Sequence, residues 1–239
     1  MASSAYEQVL AVQAVDIRLR QLRHLKKNHP LKAELASVQE KLDKKQAEII
    51  SIQEEIADNN EAQLGPQKKI AELEIKRATA DTKLYDGSVT ASNELLTLQQ
   101  EIKGHSDKQK ELEDELLTLM EQAEDTDVRL TQAQADSKTV QTSLTGVADQ
   151  LDVALQQVTA DIKQTEVERH AAAEPAVPEL LKRYEELADH YDGVAIARLV
   201  NGQCDGCHMR LSAVAIDQVA KMSDTSVVTC EECGRLLVR

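Results

Sequence analysis

Tryptophan and phenylalanine are both missing from the 239 residues, and tyrosine occurs only four times, at Tyr6, Tyr85, Tyr184 and Tyr191. A compact globule of this length normally fills its interior with aromatic side chains, so a thick single core is excluded. No run approaches the roughly 20 apolar residues that a membrane span needs. The N-terminal Met-Ala-Ser-Ser-Ala-Tyr-Glu has no cationic stretch. Together these predict a cytoplasmic protein with no membrane partner. There is also no phosphate-cradling glycine loop, no Gly-x-Ser-x-Gly elbow and no His-Glu-x-x-His. The many carboxylates sit at helix-surface spacing, and a non-enzymatic protein is expected.

Positive charge is scarce, with 28 Lys and Arg against 42 Asp and Glu, a net charge of -14. Ala195–Arg239 holds five basic side chains and five acidic ones, so the entire acidic excess lies on the preceding residues. Such a surface repels phosphate backbones and anionic membranes and favours basic protein partners.

The apolar residues present are Leu, Ile, Val and Ala at helical spacing. Leu35, Val38, Leu42, Lys45, Ile49, Ile52, Ile56 and Asn59 step by three and four, and the register continues through Ile70, Leu73, Ala80 and Leu84. An earlier stripe is Val12, Val15, Leu19 and Leu22, with a kink or short break expected at His29-Pro30. A second seam runs Leu95, Leu98, Ile102, Leu112, Leu116, Leu119, Ala123, Thr126, Leu130, Ala133, Val140, Leu144, Val147, Leu151, Ala154 and Val158. These are heptad seams. The segment 85–92 separates them, with a turn-forming Gly87 and a capping Ser or Thr before Glu94. Arms of similar length, about 5–84 and 93–173, predict a long antiparallel coiled-coil hairpin over residues 1–174, a parallel dimer of long helices being the alternative. Gly65-Pro66 predicts a bend and leaves a true turn open. Gln63, Arg77, His105, Gln109 and Asp161 make the seams partly polar, which predicts local opening or a fixed register.

Pro175 and Pro178 mark the boundary to a second domain, 175–239, with a connecting helix Glu179–His190 beginning near Pro178. Val194–Val200 reads as a strand and Asn201-Gly202 as a hairpin turn. A helix from Ser212 to about Met222 and strands Val227–Thr229 and Arg235–Val238 complete the expected fold, which is mainly α with a small C-terminal zinc ribbon.

All four cysteines lie in this domain, as Cys204-Asp205-Gly206-Cys207 and Cys230-Glu231-Glu232-Cys233. Cys-x-x-Cys at a turn sends two sulfurs to one side, and two such knuckles supply the four ligands of one structural zinc. Gly206 permits close backbone approach and Gly234 suits the turn after the second pair. Four thiolates leave no open position for an activated water. His208 reads as a loop histidine rather than a substitute ligand. Arg198, Arg210, Lys221, Arg235 and Arg239 are the candidate nucleic-acid contacts, although balancing the -2 charge of a four-thiolate zinc is the more economical role for Arg210 and Arg235. No basic stripe or stacking platform accompanies them.

Leu84-Tyr85-Asp86-Gly87-Ser88-Val89-Thr90, Glu94-Leu95, Leu98-Gln99 and Glu101-Ile102 form one motif. Tyr184, Gly193-Val194-Ala195, the two cysteine pairs, Leu211 and Gly234-Arg235-Leu236-Leu237 form another. In these the chain resembles a widespread bacterial family of uncharacterised proteins with a coiled-coil hairpin and a four-cysteine zinc ribbon. It departs from the family at Ala91-Ser92-Asn93, where Asn-Pro-Lys is usual, and at Glu231, where proline is often found. The resemblance implies a cytoplasmic adaptor or chaperone-like protein. Some relatives bind an alternative sigma factor and flagellar or secretion components, RNA binding has been proposed for the family, and those particular partners do not transfer to this chain. The expected function is a zinc-binding scaffold that holds protein partners through coiled coil and ribbon, with a zinc-ribbon nucleic-acid binder as the alternative.

Overall fold

The structure is a computed structural model that describes residues 5–221 and 227–238. Helices α1 (Ala5–Lys27), α2 (Pro30–Tyr85), α3 (Ser92–Ala173) and α4 (Pro178–Ala188) come first. Strands β1 (Ile196–Val200) and β2 (Gln203–Cys204), helix α5 (Ala213–Lys221) and strand β3 (Leu236–Val238) follow. Residue contacts divide the chain elsewhere than at residue 174: one compact unit runs to Glu34 and resumes at Val147, and the other is Leu35–Gly146.

In the unit Leu35–Gly146, each seam position named above is buried or half-buried, from Leu35 to Leu84 and from Leu95 to Leu144. The pairing is antiparallel and within one chain. Lys45 meets Asp136 at 3.2 Å, Glu55 meets Arg129 at 2.8 Å, Asn59 Nδ2 donates to the Leu119 carbonyl at 3.1 Å, and Arg77 donates to Gln109 at 3.1 Å, so numbers rise on one helix as they fall on the other. Polar seam residues therefore fix register by bonding across it. Gly65-Pro66 makes no turn, because α2 continues through it as helix. Proline removes one ladder bond, but Pro66 falls on the seam seven residues after Asn59 and its ring is buried, so apolar contact offsets the loss. At the hairpin turn Gly87 has φ +76° and the Ser88 amide donates to Asp86 Oδ1 at 2.8 Å.

The other unit brings α1, the end of α3, α4 and the strands together. α1 stops at Lys27, where Lys32 Nζ donates to the carbonyls of Lys26 and Lys27 at 2.9 and 3.0 Å and satisfies acceptors that the helix end leaves open. Pro30 then starts α2, and Pro178 occupies the first turn of α4, where a missing amide costs nothing. Arg23–Glu166 at 2.9 Å and Asp16–Arg169 at 2.9 Å join α1 to α3. Tyr184 of α4, fully buried, donates to Asp16 Oδ2 at 3.0 Å; burial and that carboxylate together hold its phenol well above the usual range, so it remains a donor.

One core spans these pieces: Tyr6, Val9 and Val12 of α1, Leu180 and Tyr184 of α4, Ile196, Leu236 and Leu237 of the sheet, and Val219 of α5. The strand order is β2-β1-β3, with β1 antiparallel to β2 and parallel to β3. Asn201 and Gly202 have φ of +50° and +77°, the paired left-handed conformation of a two-residue hairpin. The strand expected over Val227–Thr229 is reduced to a single bridge from Thr229 to Leu236, because the second knuckle begins at the next residue and turns the chain away. Met222, the expected end of α5, lies outside the described residues.

Candidate metal centre

The two cysteine pairs occupy turns of one design. After Cys204, the His208 amide returns to the Cys204 carbonyl at 2.7 Å and the Cys204 amide donates to the Met209 carbonyl at 3.0 Å. After Cys230, the Gly234 amide returns to the Cys230 carbonyl at 2.8 Å and the Cys230 amide donates to the Arg235 carbonyl at 2.8 Å. His208 and Gly234 are thus equivalent, and both are left-handed, at φ +62° and +75°. Glycine is favoured at the second position: its φ is left-handed, and a Cβ there would lie 2.8 Å from Tyr191 Oη unless that ring moved. Gly206 answers a different need, since a Cβ would meet Arg235 Cδ at 2.7 Å and Ala197 Cβ at 3.1 Å.

All four sulfurs lie within 4.8 Å of one another, with Cys204–Cys233 at 4.0 Å and Cys207–Cys230 at 3.9 Å. A tetrahedron with zinc–sulfur bonds near 2.3 Å has edges of about 3.8 Å, so a small contraction seats the ion. Amides are already directed at the sulfurs: those of Gly206 and Cys207 reach Cys204, those of Glu232 and Cys233 reach Cys230, and that of Arg235 reaches Cys233. The chemistry of the donor set and its geometry both fit one structural zinc. When bound, the ion supplies a closed cross-link rather than a reactive position.

Among the thiols themselves ionisation is uneven. Burial pushes Cys204 up to about 12 against the help of its two amides, and burial also raises Cys230. Burial acts in the same direction on Cys233, but the Arg235 amide and guanidinium and the neighbouring thiols outweigh it and bring Cys233 to about 7.

The candidate nucleic-acid contacts differ in what holds them. Arg198 pairs with Glu7 at 2.8 Å, and Lys221 with Asp217 at 2.6 Å. Arg235 is turned inward: its guanidinium carbon lies 4.6 Å from the centre of the Tyr191 ring and its Nε donates to the Val194 carbonyl at 2.6 Å. Arg210 is exposed and makes no ion pair among the described residues, while Arg239 lies outside them. His208 is exposed and stands apart from the sulfur cluster.

Two supports escaped the sequence reading. Gln13, 7% exposed, pairs its amide with both backbone groups of Ile196, donating at 2.8 Å and accepting at 2.9 Å, so α1 continues the sheet's hydrogen bonding with a side chain. Glu231, in the second knuckle, accepts from the Ser212 amide at 2.8 Å and its hydroxyl at 3.3 Å. That hydroxyl in turn caps α5 by accepting from the Ala215 amide at 3.2 Å. A polar residue amid apolar neighbours in α1 was the available signal for the first; nothing in the sequence marks the second.

The equivalence of His208 and Gly234 yields a test. A left-handed non-glycine residue costs about 1–2 kcal/mol, and glycine's extra freedom in the unfolded chain takes back about half of that. His208→Gly should therefore leave zinc stoichiometry at one and raise the unfolding midpoint slightly, by the equivalent of about 0.5–1 kcal/mol. Loss of zinc in elemental analysis of this variant would instead make His208 a ligand.

Residues 12–192 match the family model described as a CT398-like coiled coil hairpin domain, and residues 203–237 match a C4-type zinc ribbon domain. Two uncharacterised proteins of Mycobacterium tuberculosis strains are each 27% identical over 164 residues, covering 69% of this chain and 66% of the relative's length. The chain thus spans just under two thirds of those curated relatives. Among solved structures, CT398 from Chlamydia trachomatis aligns with a TM-score of 0.73 at 22% identity, over 98% of this chain and 97% of that one. A Mycobacterium smegmatis protein aligns at 0.65 and 22% identity over 100% and 99%. The HP0958 protein from Helicobacter pylori aligns at 0.53 and 15% over 99% and 98%. At these identities the structural likeness shows the fold.

Proposed function

The chain belongs to the CT398-like coiled-coil hairpin family, and on that premise we propose that it is a non-enzymatic cytoplasmic scaffold, stapled by one zinc, that binds protein partners through its coiled coil and ribbon. The observation that carries this reading is a groove of about 830 Å³ along the α2–α3 seam. Glu55, Asp58, Glu121 and Asp125 line it with Arg129 as the one cation, and Arg129 is held by Glu55 at 2.8 Å. A segment of basic amphipathic helix is the complementary partner, and its attachment weakens as salt screens the charges. No described helix is long and apolar enough to cross a membrane.

Affinity capture by the full chain tests this. Wild-type protein should retain partners at low salt, release them near 0.5 M salt, and lose them when Asp58 and Asp125 are changed to Lys, with nuclease making no difference. Arg210, exposed and without an ion pair among the described residues, favours a nucleic-acid role. A catch that nuclease and Arg210→Glu abolish, and that reversal of the groove's charge leaves intact, would establish that role in place of the scaffold. Arg235→Glu is unsuited to the purpose, because Arg235 is packed inside the ribbon.

A further inference from the structure

Arg235 touches both cysteine knuckles and the segment that leads into β1. Its backbone closes the second knuckle, with the carbonyl accepting from the Cys230 amide at 2.8 Å. Its side chain runs back over the first knuckle, where Gly206 has no side chain because Arg235 Cδ occupies the place of a Cβ. Its Nε is bonded at 2.6 Å to the carbonyl of Val194, in the link between α4 and β1. The guanidinium then lies 4.6 Å from the Tyr191 ring centre, while the Tyr191 hydroxyl covers Gly234 of the second knuckle. From this place it also reaches the Cys233 sulfur.

We infer that Arg235 is the positioning residue of the metal centre: one guanidinium, clamped between the Tyr191 ring and the Val194 carbonyl, holds both knuckles at ligand distance and sets a fixed positive charge beside the four sulfurs. The charge has a definite job. Four thiolates around a divalent ion carry a net -2; Arg198 and Lys221 are engaged by Glu7 and Asp217, and Arg210 is exposed to solvent, whereas Arg235 is held against the knuckles. The planar shape matters as well. A guanidinium stacks on an aromatic face and keeps a donor in the ring plane, which an ammonium cannot do. Gly206, Tyr191 and Arg235 then form one device, in which the glycine leaves room, the ring supplies a platform and the cation bridges. Partners one layer beyond metal ligands typically change metal affinity by about 10–100-fold when removed.

The test uses the zinc-loaded full chain and a chromogenic chelator that reports zinc release. Arg235→Met keeps the stem and removes the charge and the donor; it should release zinc about tenfold faster or more. Arg235→Lys restores charge alone and should fall between Met and wild type. Tyr191→Leu should approach Arg235→Met, and Tyr191→Phe, which keeps the ring, should stay within about twofold of wild type. A second readout separates positioning from packing: with cobalt(II) in place of zinc, the sulfur-to-metal charge-transfer band of Arg235→Met should move to lower energy, because thiolates that lose a cation give up electrons more readily. If Arg235→Met releases zinc at the wild-type rate, or shows the wild-type cobalt spectrum, Arg235 is a packing residue and the inference fails. Should Arg235→Met not fold, the Tyr191→Leu and Arg235→Lys pair decides on the same two readouts.

Discussion

Changing Cys204 to serine should leave the purified chain with little or no zinc by elemental analysis and open the sheet of β1, β2 and β3. Binding of a structural zinc in small finger peptides is worth about 10–16 kcal/mol, comparable with or larger than the whole stability of a typical domain at about 5–15 kcal/mol. The ribbon here also leans on α1 and α4, so the effect should be graded by position. Amides of Ile196 and Leu236–Val238 should lose protection from hydrogen exchange, while Leu35–Gly146, with its own seam, should keep its helical signal in circular dichroism. Zinc affinity should depend steeply on pH. Cys204, pushed up to about 12, and Cys230, also raised, are both protonated at neutral pH before metal arrives. Each zinc therefore displaces at least two protons, and lowering the pH adds the competitor. Affinity should fall at least about a hundredfold per unit between pH 8 and pH 6, and more steeply once Cys233, near 7, is protonated too. Chelator competition across that range measures the slope. A value under tenfold per unit would mean the thiols are already ionised and the burial account is wrong.

Gln13→Leu should lower stability by about 2–5 kcal/mol while zinc stoichiometry stays near one. The residue is similar in size, so little packing is lost, but Ile196, itself 1% exposed, would keep a buried amide and a buried carbonyl with no partner. Each such orphan costs about 1–3 kcal/mol. Gln13→Glu should be at least as damaging, because it removes the donor and buries a charge. Denaturant midpoints give the magnitude and exchange at the Ile196 amide gives the location. An unchanged midpoint for Gln13→Leu would show that the amide pair contributes no net stability.

How far each part could be read beforehand follows from how local its cause is. The seams were legible because a heptad repeats its signal ten or more times: Leu42, Ile52, Leu112 and Ala133 all face inward where the three-and-four spacing put them. The cysteine cluster was legible because a knuckle is a local turn, and it explains Gly206 and Gly234 as well. Gly65-Pro66 left a turn open because a rule about one residue had to be weighed against the cohesion of a 56-residue helix, and the helix continues through it. The parallel pairing of β1 with β3 could not be read, since Ile196 and Leu236 are brought together by packing on α1 and α4 rather than by anything adjacent to them. Gln13 was hidden for the same reason: its partner is fixed only once the fold exists. Arg235 was noticed, but its direction depends on a ring 44 positions earlier.

The amide pair between Gln13 and Ile196 joins positions 183 apart. On a ribosome adding about 5–20 residues per second, α1 waits roughly 10–40 s before the backbone it must bond has even been made. Throughout that interval Tyr6, Val9 and Val12 have no sheet to cover them, and zinc has at most one knuckle to find until Cys230 emerges. Helix α1, made long before its partner strand, is thus among the last elements to be locked in place, which makes the nascent chain, rather than the finished protein, the form most in need of protection.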